Sequence, residues 1–590
     1  MKLVEESEYF GMVQSLWSVP YILNVTGTRT RTEFLYTDTR AGVPLLYVWD
    51  NGECRAIAPD NNPITGLSAL HNVRPWVVFG RDEKGTEDFA IYVVDYTTHE
   101  MRNVTEGGIG RLTGLFWVSD NEWLVIGCDN QGYFITLLHR DGTRCNLYTT
   151  DEQIVAADYD DKRELVVAAV GRGPGSKIAL MNIRKKTITW ISESDTSEDT
   201  FPRIFPEKGY YAYVTDVKGE SEIVVRSVDT HEVVSRVSVR GDIQLLPGKG
   251  NLEWVDERTL FAAPAHEAEL SPQLLDIEEK MWSEPLTDVS VIGSTRVRDG
   301  VVWIGTSLSQ PPCIQLLEKG KVTTLVQSGI SGCSSGESHW YSSFDGNRVQ
   351  GWLVKNKNEK APLVVYCHGG PNFATLNMWD AELQGLEKAG YHVFAPNFRG
   401  STTFGSAFKN LNIGDIGGGD VKDVLYGARY AMNLLGLKGK PAIVGGSYGG
   451  YLTLQALTTQ PDEWAGGVAL VPWVDLLQTY EMADAHYRAL MAYLLGGPPE
   501  EKRDLYGDRS PITHVEKLKS PVLIIAGEND SRCPLKPIQE FCEKATQLHL
   551  PVNLEVLKEE GHTGSRISSL VRMSVIQLEY LRTCFDSRYS

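Results

Sequence analysis

The stretch AIVGGSYGG, residues 442–450, decides the fold of the C-terminal part of the chain. It combines a short apolar strand, a glycine-rich turn that carries a serine, and the start of a helix, which is the setting in which G-x-S-x-G has meaning. The turn is so tight that the serine takes strained dihedral angles and its neighbours must lack a Cβ. A phosphate-binding loop would need a lysine before the serine, where Gly446 stands. We therefore predict Ser447 as a nucleophile on an α/β-hydrolase fold.

The chain on both sides of this turn alternates between short apolar strands and helices. Buried strands are predicted at residues 363–367, 392–396, 442–444, 522–526 and 554–557. Helices are predicted at 452–459 and, at the end of the chain, at 567–585. This alternation predicts a doubly wound, mostly parallel sheet whose functional residues lie at the carboxyl ends of its strands.

Two later residues complete a catalytic constellation with the serine. A serine hydroxyl needs a base to take its proton, and in this fold the partners follow in the order Ser, Asp, His. Asp530 comes just after the strand at 522–526, and His562 follows a glycine after the strand at 554–557. Three competitors fit this order and spacing less well: Glu528, His514 and His549. We predict His562 as the base and Asp530 as the group that orients it.

The tetrahedral intermediate of acyl transfer also needs hydrogen-bond donors for its oxyanion. One donor should be the backbone N–H of Tyr448, directly after the nucleophile. The other should come from the loop HGGP, residues 368–371, which follows the strand at 363–367. Within this loop the side chain of His368 is predicted to be structural rather than catalytic.

The first 300 residues carry a repeat with a period of about 45 residues, and each unit has room for about four strands. Alternating segments run into a polar turn at residues 45–50, 91–95, 134–141, 178–184, 223–229, 273–276 and 314–318. Trp117 and Trp254 stand in similar sequences about three periods apart. The pattern is typical of a β-propeller, and seven units fit, with the sixth (260–285) irregular. A long β-sandwich is the alternative, but it does not require an even period.

Composition limits the partners and the compartment. The net charge of the 590-residue chain is −19, and no Lys/Arg-rich run argues for nucleic acid. The nine cysteines are scattered without a C-x-x-C, which predicts reduced thiols and a cytoplasmic location. Glu5, Glu6 and Glu8 stand where a signal peptide would need its apolar region, so none is expected, and no apolar stretch approaches the ~18 residues of a membrane span. We predict no metal and no cofactor, because no H-E-x-x-H or paired-cysteine motif occurs.

Five short motifs together point to a family. They are HGGP at 368–371, NFRGS at 397–401, GGSYGG at 445–450, NDSR at 529–532 and GH at 561–562. In this combination they resemble the prolyl oligopeptidase family of serine peptidases, and within it the acylaminoacyl peptidases. The resemblance covers nearly the whole chain, since those enzymes pair a seven-bladed propeller with an α/β-hydrolase. They also have a short N-terminal helix that packs on the hydrolase, for which residues 5–17 are the candidate.

The resemblance implies further site residues. The oxyanion donors would be the backbone amides of Gly370 and Tyr448. Arg532 would bind a substrate carbonyl or gate the pocket. Similar enzymes often have a tryptophan after the aspartate near position 475, whereas this sequence has Leu476, with Trp473 nearby. We predict that Trp473 and Leu476 contact the substrate, in a pocket whose size the sequence leaves open.

The predicted division of the chain has three parts. Residues 1–20 form the N-terminal helical segment, 21–327 the propeller and 328–590 the catalytic domain. The connection at 328–337 is rich in Ser and Gly and is predicted to be a flexible hinge. A propeller placed over the active site would restrict substrates to short peptides. Whether the chain forms a homo-oligomer stays open.

Several activities are compatible with this constellation. The leading one is a serine exopeptidase that releases N-acylated amino acids from blocked peptides through an acyl-enzyme, with an esterase side activity. A dipeptidyl peptidase would need an acidic pair for a free ammonium group, and Glu278 with Glu279 reads instead as a solvated turn. A general oligopeptidase of the same family is a further alternative, although a prolyl oligopeptidase itself typically has Asn where Tyr448 stands. Outside the peptidases, a small-acyl carboxylesterase would use the same triad, whereas a binding-only propeller would predict a decayed one.

The nucleophile assignment gives a first prediction. Ser447→Ala should lower turnover by about 10⁶-fold, the loss seen when another serine protease loses its nucleophile. A fluorophosphonate probe should label the wild type and leave the variant unlabelled. Labelling that persists in the variant would place the nucleophile on another residue.

Overall fold

Seven four-stranded antiparallel sheets form the N-terminal part of the chain, and six of them are made of consecutive strands. The structure, a computed structural model, describes residues 4–82, 85–171, 173, 175–243, 245–246, 249–327, 329–330, 332–562, 564 and 566–585. The sheets are the blades of a β-propeller, so the predicted fold of this part is confirmed.

The first five blades use twenty strands without interruption. Blade 1 has Ile22–Gly27 (β1), Phe34–Asp38 (β2), Leu45–Asp50 (β3) and Glu53–Ala56 (β4), and blade 2 has Ser68–Leu70 (β5), Trp76–Arg81 (β6), Ala90–Asp95 (β7) and Met101–Asn103 (β8). Blade 3 has Arg111–Ser119 (β9), Glu122–Asp129 (β10), Gly132–His139 (β11) and Arg144–Thr150 (β12), and blade 4 has Ile154–Asp160 (β13), Leu165–Val170 (β14), Lys177–Asn182 (β15) and Thr187–Ile191 (β16). Blade 5 has Thr200–Phe205 (β17), Tyr210–Thr215 (β18), Glu222–Ser227 (β19) and Val233–Ser238 (β20).

The irregular part of the propeller lies before and within blade 6, and blade 7 is regular again. Short strands Asp242–Ile243 (β21), Leu245–Leu246 (β22) and Lys249–Gly250 (β23) come first. Blade 6 has Leu252–Trp254 (β24), Thr259–Ala262 (β25), Gln273–Asp276 (β28) and Met281–Trp282 (β29), with Pro264–His266 (β26) and Glu269–Leu270 (β27) inserted between its second and third strands. Blade 7 has Ser290–Val297 (β30), Gly300–Ser307 (β31), Gln310–Glu318 (β32) and Lys321–Val326 (β33).

The sequence repeat coincides with one position in each blade. Every predicted segment overlaps the third strand of its blade, from β3 in blade 1 to β32 in blade 7. Trp117 and Trp254 both lie in first strands, those of blades 3 and 6, which explains their spacing of three periods. The sequence period is therefore regular because successive blades contain similar numbers of residues.

Blade 6 departs from the repeat because the segment inserted in it packs against the hydrolase domain. The strand β26 pairs with β27 and with β21 rather than with its own blade. Ala265, Ala268 and Leu270 in this insertion are fully buried and share a core with Leu376 of the hydrolase. The insertion thus takes the place of a short loop between β25 and β28, and it is stabilised by apolar burial against the neighbouring domain.

One eight-stranded sheet forms the centre of the C-terminal part. Its strands are Glu337–Ser342 (β34), Arg348–Val354 (β35), Leu363–Cys367 (β36), His392–Asn397 (β37), Ala442–Gly446 (β38), Gly466–Leu470 (β39), Val522–Gly527 (β40) and Val552–Leu557 (β41). They lie in the order β34-β35-β37-β36-β38-β39-β40-β41, and all neighbours are parallel except at β34 and β35. The predicted mostly parallel sheet is confirmed.

The strand β39 is missing from the sequence prediction. It begins with Gly466 and Gly467, which are poor strand formers in isolation. The structure shows why glycine is needed there. A Cβ on Gly467 would lie 2.6 Å from the carbonyl oxygen of Ile443, and one on Gly466 would lie 2.5 Å from the sulfur of Cys584.

Helices cover both faces of this sheet. They are Phe10–Trp17 (α1), Ala381–Lys388 (α2), Ser406–Lys409 (α3), Gly419–Leu434 (α4), Tyr448–Thr459 (α5), Leu476–Met482 (α6), Ala485–Leu495 (α7), Pro499–Asp508 (α8), Leu535–Gln547 (α9) and Ile567–Phe585 (α10). The final helix has the predicted bounds. None of the helices among the described residues is both long and apolar enough to cross a membrane.

The N-terminal helix packs on the hydrolase but is shorter than predicted. Residues 4–6 form a separate 3₁₀ turn, and the α-helix begins only at Phe10. The chain turns between them, where the Ser7 hydroxyl accepts from the N–H of Tyr9 and donates to Glu579. The indole of Trp17 donates to Ser574 at 2.9 Å and so ties α1 to α10.

The propeller faces the hydrolase with the loops between the second and third strands of its blades. In blade 1, the carbonyl of Gly42 accepts from the N–H of Ile567 at 3.0 Å. In blade 7, the N–H of Leu308 donates to the side chain of Asn377 at 3.0 Å. The predicted domain limits stay predictions, and Ser328 and Ser331 of the predicted hinge lie outside the described residues. All nine cysteines are free thiols.

Packing of α1 gives a stability prediction. Leu16 is 2% exposed and contacts Trp379 and Ala381 of the hydrolase. Leu16→Ala should therefore lower the free energy of unfolding by about 2–5 kcal/mol through lost burial and the cavity left behind. The midpoint of urea unfolding, followed by tryptophan fluorescence, measures this change.

The matched control for that variant is Gln14→Ala, on the exposed face of the same helix. It should change stability by no more than about 0.5 kcal/mol. Equal midpoints for both variants would mean that docking of α1 does not stabilise the hydrolase.

Candidate active site

The backbone around Ser447 is held in a crowded turn. Ser447 has φ +57° and ψ −119°, a strained conformation for a residue with a side chain. A Cβ on Gly449 would lie 2.0 Å from the carbonyl oxygen of Cys367, and one on Gly450 would lie 2.5 Å from that of Leu470. Glycines at these positions therefore let α5 start directly against the strands on either side of β38.

The three residues predicted to form the triad come together at the carboxyl ends of β38, β40 and β41. The Nε2 atom of His562 lies 2.9 Å from the Oγ of Ser447, and its Nδ1 lies 2.8 Å from the Oδ2 of Asp530. The side chain of Asp530 is fully buried, and that of His562 is 6% exposed. This is the geometry in which a neutral imidazole accepts the serine proton while the carboxylate holds its tautomer.

A short turn after β40 fixes the carboxylate. Its Oδ1 accepts hydrogen bonds from the backbone N–H groups of Arg532 and Cys533, at 2.8 and 2.9 Å. Its other oxygen is thereby left for His562. The N–H of Asn529 donates to the carbonyl of Glu560 at 2.9 Å and joins this turn to the loop that carries the histidine.

The predicted oxyanion loop lies directly beside the nucleophile. A Cβ on Gly369 would be 3.6 Å from the Cβ of Ser447, so the backbone of the loop approaches the serine closely. Gly370 has φ +125°, a conformation open to glycine, and precedes a cis proline. The N–H of Tyr448 begins α5 next to the serine, so both predicted donors border the nucleophile.

The side chain of Tyr448 points into the core. Its hydroxyl donates to the carboxylate of Asp420, and the ring packs edge-on against Trp473 with 6.1 Å between centroids. Burial raises the pKa of Asp420 to about 6. The hydroxyl is thus occupied in the core, which leaves the backbone amide as the group that Tyr448 offers to the oxyanion.

His368 joins two loops rather than entering the triad. It stacks on Phe398 with 4.2 Å between centroids, its Nδ1 donates to the carbonyl of Gly369, and its Nε2 lies 2.8 Å from the Oγ of Ser401. Burial lowers its pKa to about 4, so the ring is neutral around pH 7. These contacts agree with the structural role predicted for it.

Arg532 pairs with a propeller residue that the sequence did not reveal. Its Nε donates to Glu87 at 2.8 Å and its second nitrogen contacts the other carboxylate oxygen. Arg111 also pairs with Glu87, at 2.7 Å, and with Asp484 at 3.0 Å. Burial by itself raises the pKa of Glu87, but the two arginines hold it down at about 2. The carboxylate is therefore ionised and neutralised by its partners.

The same propeller loop rests on the loop of the triad histidine. A Cβ on Gly561 would lie 2.1 Å from the carbonyl oxygen of Gly85, so the two backbones touch. The Ser531 hydroxyl also reaches Glu87, at 3.3 Å. Blade 2 thus contacts both the turn that carries Asp530 and the turn that carries His562.

The two predicted pocket residues have different surroundings. Trp473 is 4% exposed, and its indole donates to the carbonyl of Arg532 at 3.1 Å, so it lies beside the triad turn. Leu476 is fully buried in the hydrolase core. It is the first residue of α6, directly after the helix cap at Asp475, and its predicted contact with substrate stays a prediction.

The position of the Tyr448 hydroxyl gives a prediction that separates stability from turnover. Tyr448→Phe should leave Asp420 without one donor and lower the free energy of unfolding by about 1–3 kcal/mol. Turnover should change far less than the about 10²–10³-fold expected for a lost oxyanion donor. Urea unfolding and the turnover number of a chromogenic amide measure the two effects.

Tyr451→Phe is the matched control for this experiment. Its hydroxyl donates to the carbonyl of Arg509 at 2.9 Å, in the same core but away from the nucleophile. A crippled Tyr448→Phe beside an active Tyr451→Phe would make the hydroxyl of Tyr448 the oxyanion donor.

Comparisons with known proteins agree with this geometry. Residues 377–588 match the model of the prolyl oligopeptidase family. The chain is 27% identical to dipeptidyl aminopeptidase BIII of Pseudoxanthomonas mexicana over 92% of this chain and 84% of that protein. It is also 27% identical to the acylamino-acid-releasing enzyme of Mus musculus, over 35% of this chain and 29% of that one.

A solved structure extends the likeness in fold to the whole chain. The puromycin-hydrolyzing peptidase of Mycobacterium tuberculosis superposes with a TM-score of 0.84 over 96% of this chain and 95% of that one, at 17% identity. The family match and the full-length relative agree on the catalytic part of the chain. Residues 377–588 are similar to the prolyl oligopeptidase family of serine peptidases.

Proposed function

We propose that this chain hydrolyses short peptides through an acyl-enzyme formed on Ser447. His562 takes the serine proton as the hydroxyl attacks the scissile carbonyl, and then gives it to the leaving amine. Asp530 keeps the imidazole in the required tautomer and stabilises its charged form. In the second half of the reaction, water gives a proton to His562 and attacks the acyl-enzyme, which releases the acyl product and restores Ser447. The 2.8 and 2.9 Å contacts of the histidine support these roles.

The oxyanion of each tetrahedral intermediate would be bound by two backbone amides, those of Tyr448 and Gly370. Fixed amides need no reorganisation when the charge develops, which is why such donors lower the barrier. The close approach of the Gly369 backbone to Ser447 supports this assignment.

The preferred substrates are proposed to be short peptides with a blocked N-terminus. One observation carries this proposal: the propeller carboxylate that reaches the triad turns, Glu87, is already neutralised by Arg532 and Arg111. A substrate ammonium group gains little binding free energy from a carboxylate that already has two cationic partners. That small gain would also have to offset the cost of removing the ammonium group from water. An acyl group carries no such charge.

A dipeptidyl aminopeptidase is the second candidate. The relative of that name aligns with 92% of the chain, whereas the acylamino-acid-releasing enzyme aligns with 35%. For this activity Glu87 would have to exchange an arginine for the substrate ammonium. The adjacent acids Glu278 and Glu279 do not offer an alternative, since both are exposed and pair with Arg258.

The position of the propeller supports short peptides as partners. Blade 2 rests on the loops of Asp530 and His562, and a propeller beside the triad favours small substrates over folded proteins. No nucleic acid or membrane is part of the proposal.

The test is a substrate panel run on the wild type and on Glu87→Gln. N-acetyl-alanyl and alanyl-alanyl p-nitroanilides, a matched N-acetyl-alanyl ester and casein form the panel. We expect the wild type to favour the acetylated amide and ester and to leave casein intact. We expect Glu87→Gln to change the acetylated and free-amine amides by similar factors, because neither relies on the carboxylate.

Glu278→Gln, an exposed acid of the same propeller, is the control. The proposal fails if the free-amine amide is the better substrate and Glu87→Gln lowers its kcat/KM selectively. Loss of one partner of a buried charge pair costs about 2–5 kcal/mol, which would lower kcat/KM for the free-amine amide by at least about 30-fold. That outcome would establish the dipeptidyl aminopeptidase activity instead.

A further inference from the structure

Three side chains that can ligate a metal converge behind the catalytic imidazole. They are Asp530, Cys533 and His562, and one ligating atom from each lies within 4.8 Å of the other two. Counted over whole residues, main chain included, their exposed fractions are 6, 2 and 9%. The histidine presents Nδ1 to this group, the nitrogen that faces away from Ser447.

The thiol of Cys533 has no hydrogen-bonding role in the described part of the chain. Only its backbone takes part, through the N–H that donates to Asp530 at 2.9 Å. The turn from Asp530 to Pro534, just before α9, brings the sulfur of Cys533 close to the carboxylate of Asp530. A buried polarisable sulfur therefore stands beside a carboxylate and an imidazole nitrogen.

We propose that Asp530, Cys533 and His562 form an inhibitory binding site for a soft divalent metal ion, with Zn²⁺ as the ion that fits best. Thiolate, imidazole and carboxylate are the ligands that zinc prefers, at about 2.0–2.3 Å. In a tetrahedral site, bonds of that length place the ligand atoms about 3.5 Å apart, so small side-chain rotations are enough. A water molecule would take the fourth position.

Charge also favours zinc at this place. The ion brings two positive charges, which the carboxylate and the thiolate of the site balance. A neutral complex avoids the penalty of leaving net charge in a buried position. Magnesium would not fit, because it requires near-octahedral oxygen ligands and dehydrates reluctantly.

Binding would stop catalysis through the tautomer of the histidine. The metal takes the place of the proton between Nδ1 of His562 and Oδ2 of Asp530, and it also displaces the proton of the Cys533 thiol. The thiol proton leaves to solvent, whereas the imidazole proton is transferred through solvent from Nδ1 to Nε2, so one proton is released in all. The imidazole that remains neutral on the metal carries its one proton on Nε2, which faces Ser447. It can then donate to the serine but cannot accept its proton, so attack is blocked.

This inhibition rests on the proposed role of His562 as the base. It is compatible with turnover that needs no metal, because the ion would bind only the resting enzyme. Since the fold around the site is unchanged, removal of the metal should restore activity.

The experiment titrates Zn²⁺ against wild type, Cys533→Ser, Cys533→Ala and Cys542→Ser. Cys542 lies in α9 and keeps a partly buried thiol outside the cluster, which makes it the matched control. Each protein is normalised to its own metal-free rate of fluorophosphonate labelling and of amide hydrolysis. We expect zinc to inhibit wild type and Cys542→Ser equally and EDTA to restore both. Both Cys533 variants should need at least about tenfold more zinc, since even lost supporting groups weaken metal sites by 10–100-fold.

A direct measurement of binding separates the possible failures. Cd²⁺ is added to the same proteins, and the ultraviolet charge-transfer band of the cadmium–thiolate bond is recorded. We expect the band to be stronger in the wild type than in Cys533→Ser. Equal bands, or equal zinc sensitivity of wild type and both Cys533 variants, would overturn the site. A Cys533-dependent band without inhibition would instead contradict His562 as the base, and with it the proposed function.

Discussion

The close approach of three backbones at Ser447 is the constraint on which the active site depends. The carbonyl oxygen of Cys367 leaves no space for a Cβ on Gly449, and that of Leu470 leaves none on Gly450. Those carbonyls belong to the two strands that flank β38, so α5 can begin there only because its first turn has glycine at both contacts. The same approach brings the end of β36, and with it the predicted oxyanion loop, beside the serine. The predicted nucleophile and the predicted oxyanion donors are therefore positioned by one packing requirement.

The contact between the domains has two different characters. Around the blade 6 insertion it is apolar, with Ala265 and Leu270 buried in a core shared with Leu376. Around blade 2 it is made of charges, where Glu87 and Arg532 form an interdomain ion pair. Salt does not screen apolar burial, whereas it weakens ion pairs at a partly exposed interface. The propeller is thus fixed on one side and held electrostatically on the side that covers the triad.

Local patterns carried most of what could be predicted from the sequence. The elbow at Ser447, the order of Asp530 and His562 after strands, and the period of the third strands are all encoded within short stretches. Glu87 could not be found in this way, because its partner Arg532 is 445 residues away and nothing near it marks the pairing. The burial of Leu476 could not be predicted either, because a sequence position does not say which way the side chain after a helix cap turns.

Arg532 links functions that are usually assigned to separate residues. Its backbone N–H supports the carboxylate of Asp530, its carbonyl accepts from the indole of Trp473, and its side chain pairs with Glu87. The first two contacts use the main chain and are fixed by the turn, so they persist when the side chain changes partner. Only the guanidinium responds to what the propeller or a substrate presents. The contacts of Arg532 therefore divide into main-chain hydrogen bonds, which hold the turn of Asp530, and a side-chain ion pair, which joins this turn to the propeller.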